Sequence, residues 1–144
     1  MVTPQKGRIF ISYRRVDTRH VAGRIYDRLA LHFGKEAIFM DVEAIDGGLD
    51  FVNVLEDAVQ SCDVVIALIG KKWLNLKDER GERRLENPED FVRVEIAAAL
   101  SRDIRVIPVL VDGVNMPRST ELPENLKPLA RRNALQVNHH SFNA

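Results

Sequence analysis

Few residues of this 144-residue chain are placed to do chemistry, and Glu95 stands out among them. It is the only charged residue in VEIAAALS, residues 94–101, a helix-forming stretch otherwise made of Val, Ile, Ala and Leu up to its final Ser. Ala99 stands four residues on, where an exposed helical glutamate usually finds its Lys or Arg. Phe91, one turn earlier, lies on the same face. A carboxylate against apolar neighbours is pushed toward its protonated form, a pattern common at working acids. A half-exposed glutamate at a helix edge has the same spacing, so the residues alone leave both environments open.

Arg14 and Arg15 directly follow the apolar run RIFISY. Two guanidinium groups at a strand exit suit a phosphate or pyrophosphate, whose oxygens they bind in pairs, although surface solubility explains them equally well. Neither a Walker A pattern nor G-x-G-x-x-G follows that first strand, so the ordinary nucleotide cradles are absent. Cys62 is the single cysteine, which excludes an internal disulfide and a cysteine-based zinc cluster; it opens an apolar strand and reads as a buried thiol. His139 and His140 are adjacent, with no carboxylate at ligand spacing, so no metal site is expected. Trp73 reads as a packing residue.

The elements that must position these groups alternate along the chain. Residues 8–13 form a buried strand, and Asp17 or Thr18 caps a helix that runs to Phe33 and ends at Gly34. A short strand at 37–40 leads into the loop 41–50, DVEAIDGGLD, and a helix at 51–61. Residues 62–69 are a third strand, 71–76 a helical turn and 77–86 a charged exposed loop. Asn87 and Pro88 start a helix that runs to Ser101, followed by strands at 104–111 and 133–137 around a Pro-rich connection at 116–128. Continuous apolar strands alternating with helices predict a flavodoxin-like three-layer α/β/α fold, its five parallel strands in the order 2-1-3-4-5. The helix that should follow the fifth strand is missing, which suggests a chain cut from a longer protein. The expected organisation is a tail at 1–7, one domain at 8–138 and a second tail at 139–144.

Lys plus Arg and Asp plus Glu are 21 each, so nothing draws the chain toward nucleic acid. No apolar run is long enough to span a membrane, and a cytoplasmic location is expected. The neutral sum hides an asymmetry: residues 1–35 carry eight bases and two acids, and residues 36–70 carry eight acids and no base. Two solvated faces of opposite sign account for this, as does head-to-tail contact between copies.

Five stretches, in order and at consistent spacing, resemble a Toll/interleukin-1 receptor (TIR) domain, most like the bacterial ones. They are FISYRR at 10–15, FMDVEAIDGGLDF at 39–51, SCDVVIALIG at 61–70, DFVRVEIAAAL at 90–100 and IRVIPVLVDG at 104–113. The resemblance covers residues 8–138 and implies the same five-stranded fold. It makes 41–50 the BB loop, with Glu43, Ile45, Asp46, Gly47 and Gly48 on an assembly surface for other TIR domains. It also implies cleavage of NAD+ as substrate, with no cofactor, to nicotinamide and ADP-ribose or a cyclic isomer. Such an enzyme works when assembled head to tail, as an effector module of antiphage defence or signalling. In that reading Glu95 is catalytic, while Tyr13, Arg14, Arg15, Asp41 and Phe91 face the substrate. The aromatic four residues before the glutamate is often Trp in catalytic members; Phe91 keeps the stacking face and lacks the N–H donor. The alternative is a scaffold that binds other TIR domains and turns nothing over. A response-regulator receiver is rejected, because Tyr13, Arg14, Arg15 and Gly70 stand where its acids belong.

Overall fold

The structure, a computed structural model, describes residues 8–40 and 50–138. Five strands, β1 (Ile9–Ser12), β2 (Ile38–Phe39), β3 (Val64–Ile69), β4 (Arg105–Val111) and β5 (Leu135–Val137), form one parallel sheet in the order β2-β1-β3-β4-β5. Among the described residues three α-helices accompany them: α1 (Arg15–Phe33), α2 (Phe51–Gln60) and α3 (Phe91–Ser101). The flavodoxin-like order read from the apolar runs is the order found.

Burial on both faces explains why the strands lack polar alternation. Ile9 and Ile11 point to one side and pack with Val21 and Ala22 of α1. Phe10 points to the other, into a core that holds Val59 of α2 and Val92 and Ile96 of α3. The central register sets Ser12 beside Ala67 on β3, and Ala67 in turn beside Pro108 on β4.

Several boundaries differ from the sequence expectation, each for a local reason. Helix α1 begins at Arg15, ahead of Asp17 and Thr18, and no side chain caps it. Thr18 instead sits at a kink, φ −128° and ψ 23°, with its side chain buried rather than capping. At the far end Gly34, at φ 87°, closes the helix as its sequence position suggests. Helix α3 begins at Phe91, not at Asn87 and Pro88: the Asn87 side chain accepts from the Glu89 amide at 2.9 Å, making an Asx turn. Asp90 is the cap, accepting from the Arg93 amide at 3.1 Å.

Residues 77–86 are more than an exposed loop. Lys77 and Arg83 pair across a small antiparallel bridge, and the 3₁₀ turn Arg84–Glu86 sinks Leu85 fully into the core. The connection between β4 and β5 also folds, into the 3₁₀ segments Ser119–Glu121 and Glu124–Arg131. Leu126 and Leu129 bury against the same core as Ile96. Pro128, which has no N–H to give, stands inside this segment and is incompatible with a regular α-helix there. Among the described residues no helix is long and apolar enough to cross a membrane.

Candidate active site

Beyond its carboxyl end, β1 meets the amino-terminal end of α3 at a cavity of ≈ 370 Å³. The place follows from topology: the chain leaves β1 toward β2 on one side and returns to β3 on the other, opening a crevice at the switch point. Tyr13, Arg14 and Arg15 form the β1 side, and Phe91 and Glu95 the α3 side. Asp78, Arg84, Asn87 and Glu89 complete the wall from the connection between β3 and α3. Asp41, Glu43, Ile45, Asp46, Gly47 and Gly48 lie outside the described residues, as do His139 and His140.

Glu95 is 8% exposed, flanked by the buried Val94 and Ile96. It is therefore no edge residue. Its Oε1 accepts a hydrogen bond of 2.8 Å from the Ser12 hydroxyl, and Ser12 is 1% exposed. Ser12 is a site residue the sequence reading passed over. The available signal was a hydroxyl closing an otherwise apolar strand, on the face shared with Phe10.

The two arginines behave differently. Arg14 is buried, and its guanidinium grips both carboxylate oxygens of Asp90 at 3.0 Å each, while its Nε donates to the Trp73 carbonyl at 3.1 Å. It thus joins the exits of β1 and β3 to the cap of α3. Arg15 is exposed on the cavity rim. Asp90 was readable only as an acid near a helix start; its pairing with Arg14 spans 76 residues.

The outer wall is held by hydrogen bonds rather than by apolar packing alone. Asp78 accepts from the amides of Arg80 and Glu82 at 2.9 and 3.1 Å, closing the turn of the 77–83 hairpin. Arg93 donates to the carbonyls of Leu85 and Glu86 at 3.2 and 2.9 Å and to Asn125 at 3.0 Å. Phe91 is 38% exposed, and its ring centroid lies 5.0 Å from that of Phe51 at the start of α2. One of its faces thus leans on the residue that closes the 41–50 segment.

Trp73 is fully buried, a packing residue whose carbonyl serves Arg14. Cys62 is buried, and desolvation raises its thiol to about 11, outweighing a hydrogen bond from Ser61 and the charge of Arg8. It lies in the core with Val59 and Val65, and it does not line the cavity.

The chain matches the family described as TIR domain over residues 9–143. Among curated proteins it is 26% identical over 133 residues to the NAD(+) hydrolase sarm1 of Drosophila melanogaster. That match takes in 91% of this chain and 9% of the fly protein, so the chain spans about a tenth of its relative's length. Among solved structures it is similar to a metazoan TIR-STING receptor from C. gigas, at 21% identity and a TM-score of 0.56, with 90% of this chain and 38% of that one covered. It is also similar to the TIR domains of the activated Roq1 resistosome, at 16% identity and a TM-score of 0.54, over 85% of this chain and 68% of that one. These two likenesses concern the fold.

Proposed function

The chain belongs to the TIR domain family, and from that premise we propose that it cleaves the nicotinamide–ribose bond of NAD+. One observation carries the reading: a glutamate carboxylate, buried in an apolar helix, lines a cavity at the carboxyl end of the sheet. The similarity to a fly protein named as an NAD(+) hydrolase supports it.

The bond suits so sparse a site. Nicotinamide in NAD+ is a cationic pyridinium; when the C1′–N bond breaks, its electron pair goes to the ring nitrogen and a neutral molecule leaves, with no acid required. The ribosyl carbon left behind has oxocarbenium character, as in glycoside hydrolysis. A carboxylate near C1′ stabilises that positive charge, more strongly in a partly dry cavity than in water. Water then bonds to C1′ and releases a proton, giving ADP-ribose. Attack by a nucleophilic atom of the same molecule gives a cyclic isomer instead.

In this reading Glu95 meets the ribose and the cation, and Phe91 offers the face turned away from Phe51 to a planar ring. Arg15 takes the phosphates, because Arg14 is held in the wall by Asp90 and Trp73. Tyr13 and Asp41 border the substrate. The segment 41–50 of one copy, with Glu43, Ile45, Asp46, Gly47 and Gly48, docks head to tail on the basic surface of the next and completes its pocket. Exposed Arg19, Arg24 and Arg28 on α1 supply positive charge for that contact. The output is loss of NAD+ in an effector of antiphage defence or signalling.

The test is chromatography of NAD+ incubated with concentrated protein, with nicotinamide and its co-product resolved. Specific activity should rise more than linearly with protein concentration and fall with added salt. No nicotinamide at any concentration, with assembly enforced by fusion to an oligomer, favours the scaffold.

A further inference from the structure

Ser12 places a hydroxyl where an apolar side chain would be the ordinary occupant. Alternation along β1 puts it on the face of Phe10, toward the core shared with Val92 and Ile96 of α3. Its register partner on β3, Ala67, offers no polar side chain. A buried hydroxyl without a partner is costly, and this one lies 2.8 Å from Glu95 Oε1. An ionised carboxylate only accepts hydrogen bonds, so Ser12 is the donor to a charged Glu95.

We propose that Ser12 is a positioning residue, holding the Glu95 carboxylate ionised and turned toward the cavity, where it can meet a cation. The inference deepens the reading of Glu95 given above and rests on it. Burial disfavours the charge of Glu95, and donation from the Ser12 hydroxyl favours it. Tyr13, Arg14 and Arg15 face the cavity from the β1 exit, and Asp78, Arg84, Glu89 and Asp90 from the connection to α3. Arg14 and Asp90 are paired with each other, and the Ser12 hydroxyl donates directly to Glu95. In a ribosyl-transfer site only the ionised form can balance the developing positive charge, so loss of Ser12 lowers function toward acid pH, where Glu95 is then protonated.

The test reads Glu95 without turnover. In protein labelled with ¹³C at the glutamate side-chain carboxyls, Glu95 is assigned by the signal lost in Glu95→Gln, and its shift is followed with pH. The titration midpoint in Ser12→Ala should lie about one pH unit or more above that of wild type, and Ser12→Thr should restore it. Coincident curves in wild type and Ser12→Ala overturn the proposal. If circular dichroism shows that threonine is not accommodated at this buried position, the alanine curve alone decides. Nicotinamide release is measured alongside: Ser12→Ala should lose roughly tenfold in kcat near the acid end and recover as pH rises, with KM unchanged. A wild type that releases no nicotinamide while the two titrations differ removes the NAD+ reading and leaves Ser12 as the group that sets the charge of Glu95.

Discussion

The guanidinium of Arg14 and the carboxylate of Asp90 form a two-pronged ion pair, 3.0 Å at each contact, with side chains only 4% and 9% exposed. Because Asp90 also caps α3, this pair fixes where that helix starts relative to β1, and hence where Glu95 stands. Breaking a buried pair by removing one partner leaves an uncompensated charge, at about 3–5 kcal/mol. Arg14→Ala and Asp90→Ala should each lower the urea midpoint of unfolding by a corresponding amount. Arg14→Lys should rescue little, since an ammonium cannot span both oxygens. A wild-type midpoint in Arg14→Ala would show that the pair does not hold the fold.

Arg15 makes a prediction of a different kind. If it takes the phosphates, Arg15→Ala should raise KM for NAD+ about tenfold and leave cleavage of nicotinamide riboside, which carries no phosphate, unchanged. Equal losses on both substrates would assign Arg15 to something other than the phosphates.

Cys62 gives a pH dependence with a definite sign. Burial raises the folded thiol from 9.0 to about 11, so between those values the native state keeps a proton that the unfolded chain has lost. Stability from this group is therefore fully present below about pH 9 and declines as pH rises toward 11. Urea unfolding of wild type should steepen its loss of stability over that interval relative to Cys62→Ala. The native thiol should also react with iodoacetamide far more slowly at pH 8 than it does in urea. Rapid native alkylation would contradict its burial.

Gly70 ends β3 against the first turns of α1. A Cβ there would lie 2.6 Å from both Asp17 carboxylate oxygens and from Thr18 Cγ2. Asp17 Oδ2 and Thr18 Oγ1 are already buried without a hydrogen-bond partner, so displacing them finds no polar relief. Gly70→Ala should destabilise by about 1–3 kcal/mol in urea titration, and Gly23→Ala, where nothing lies within 4 Å, should not.

Sheet order was legible because the strands are buried on both faces, and continuous runs such as VVIALI and RVIPVLV leave little else to choose. Helix starts were less so. Asp17 with Thr18, and Asn87 with Pro88, are good capping residues that the fold uses for a kink and an Asx turn; α1 starts with no side-chain cap, and α3 is capped by Asp90, which Arg14 holds from across the chain. Charged residues concealed Leu85, whose burial depends on the hairpin around it. Within the site, Glu95 was visible as a lone charge in an apolar helix. Its partner Ser12 was not, since 83 residues separate them and a strand-end serine has no sequence pattern that names its acceptor. Arg14 and Arg15 both stand at the strand exit, but only the structure separates the buried pairing of Arg14 from the exposed position of Arg15.

The central claim is that the Glu95 carboxylate drives loss of nicotinamide from NAD+. Glu95→Gln keeps the shape and a hydrogen-bonding side chain while removing the charge, so it isolates that claim. With both proteins at matched high concentration and equal folding by circular dichroism, wild type should release nicotinamide and Glu95→Gln should be slower by at least about a hundredfold. Equal rates in the two proteins would contradict the account, whatever the product.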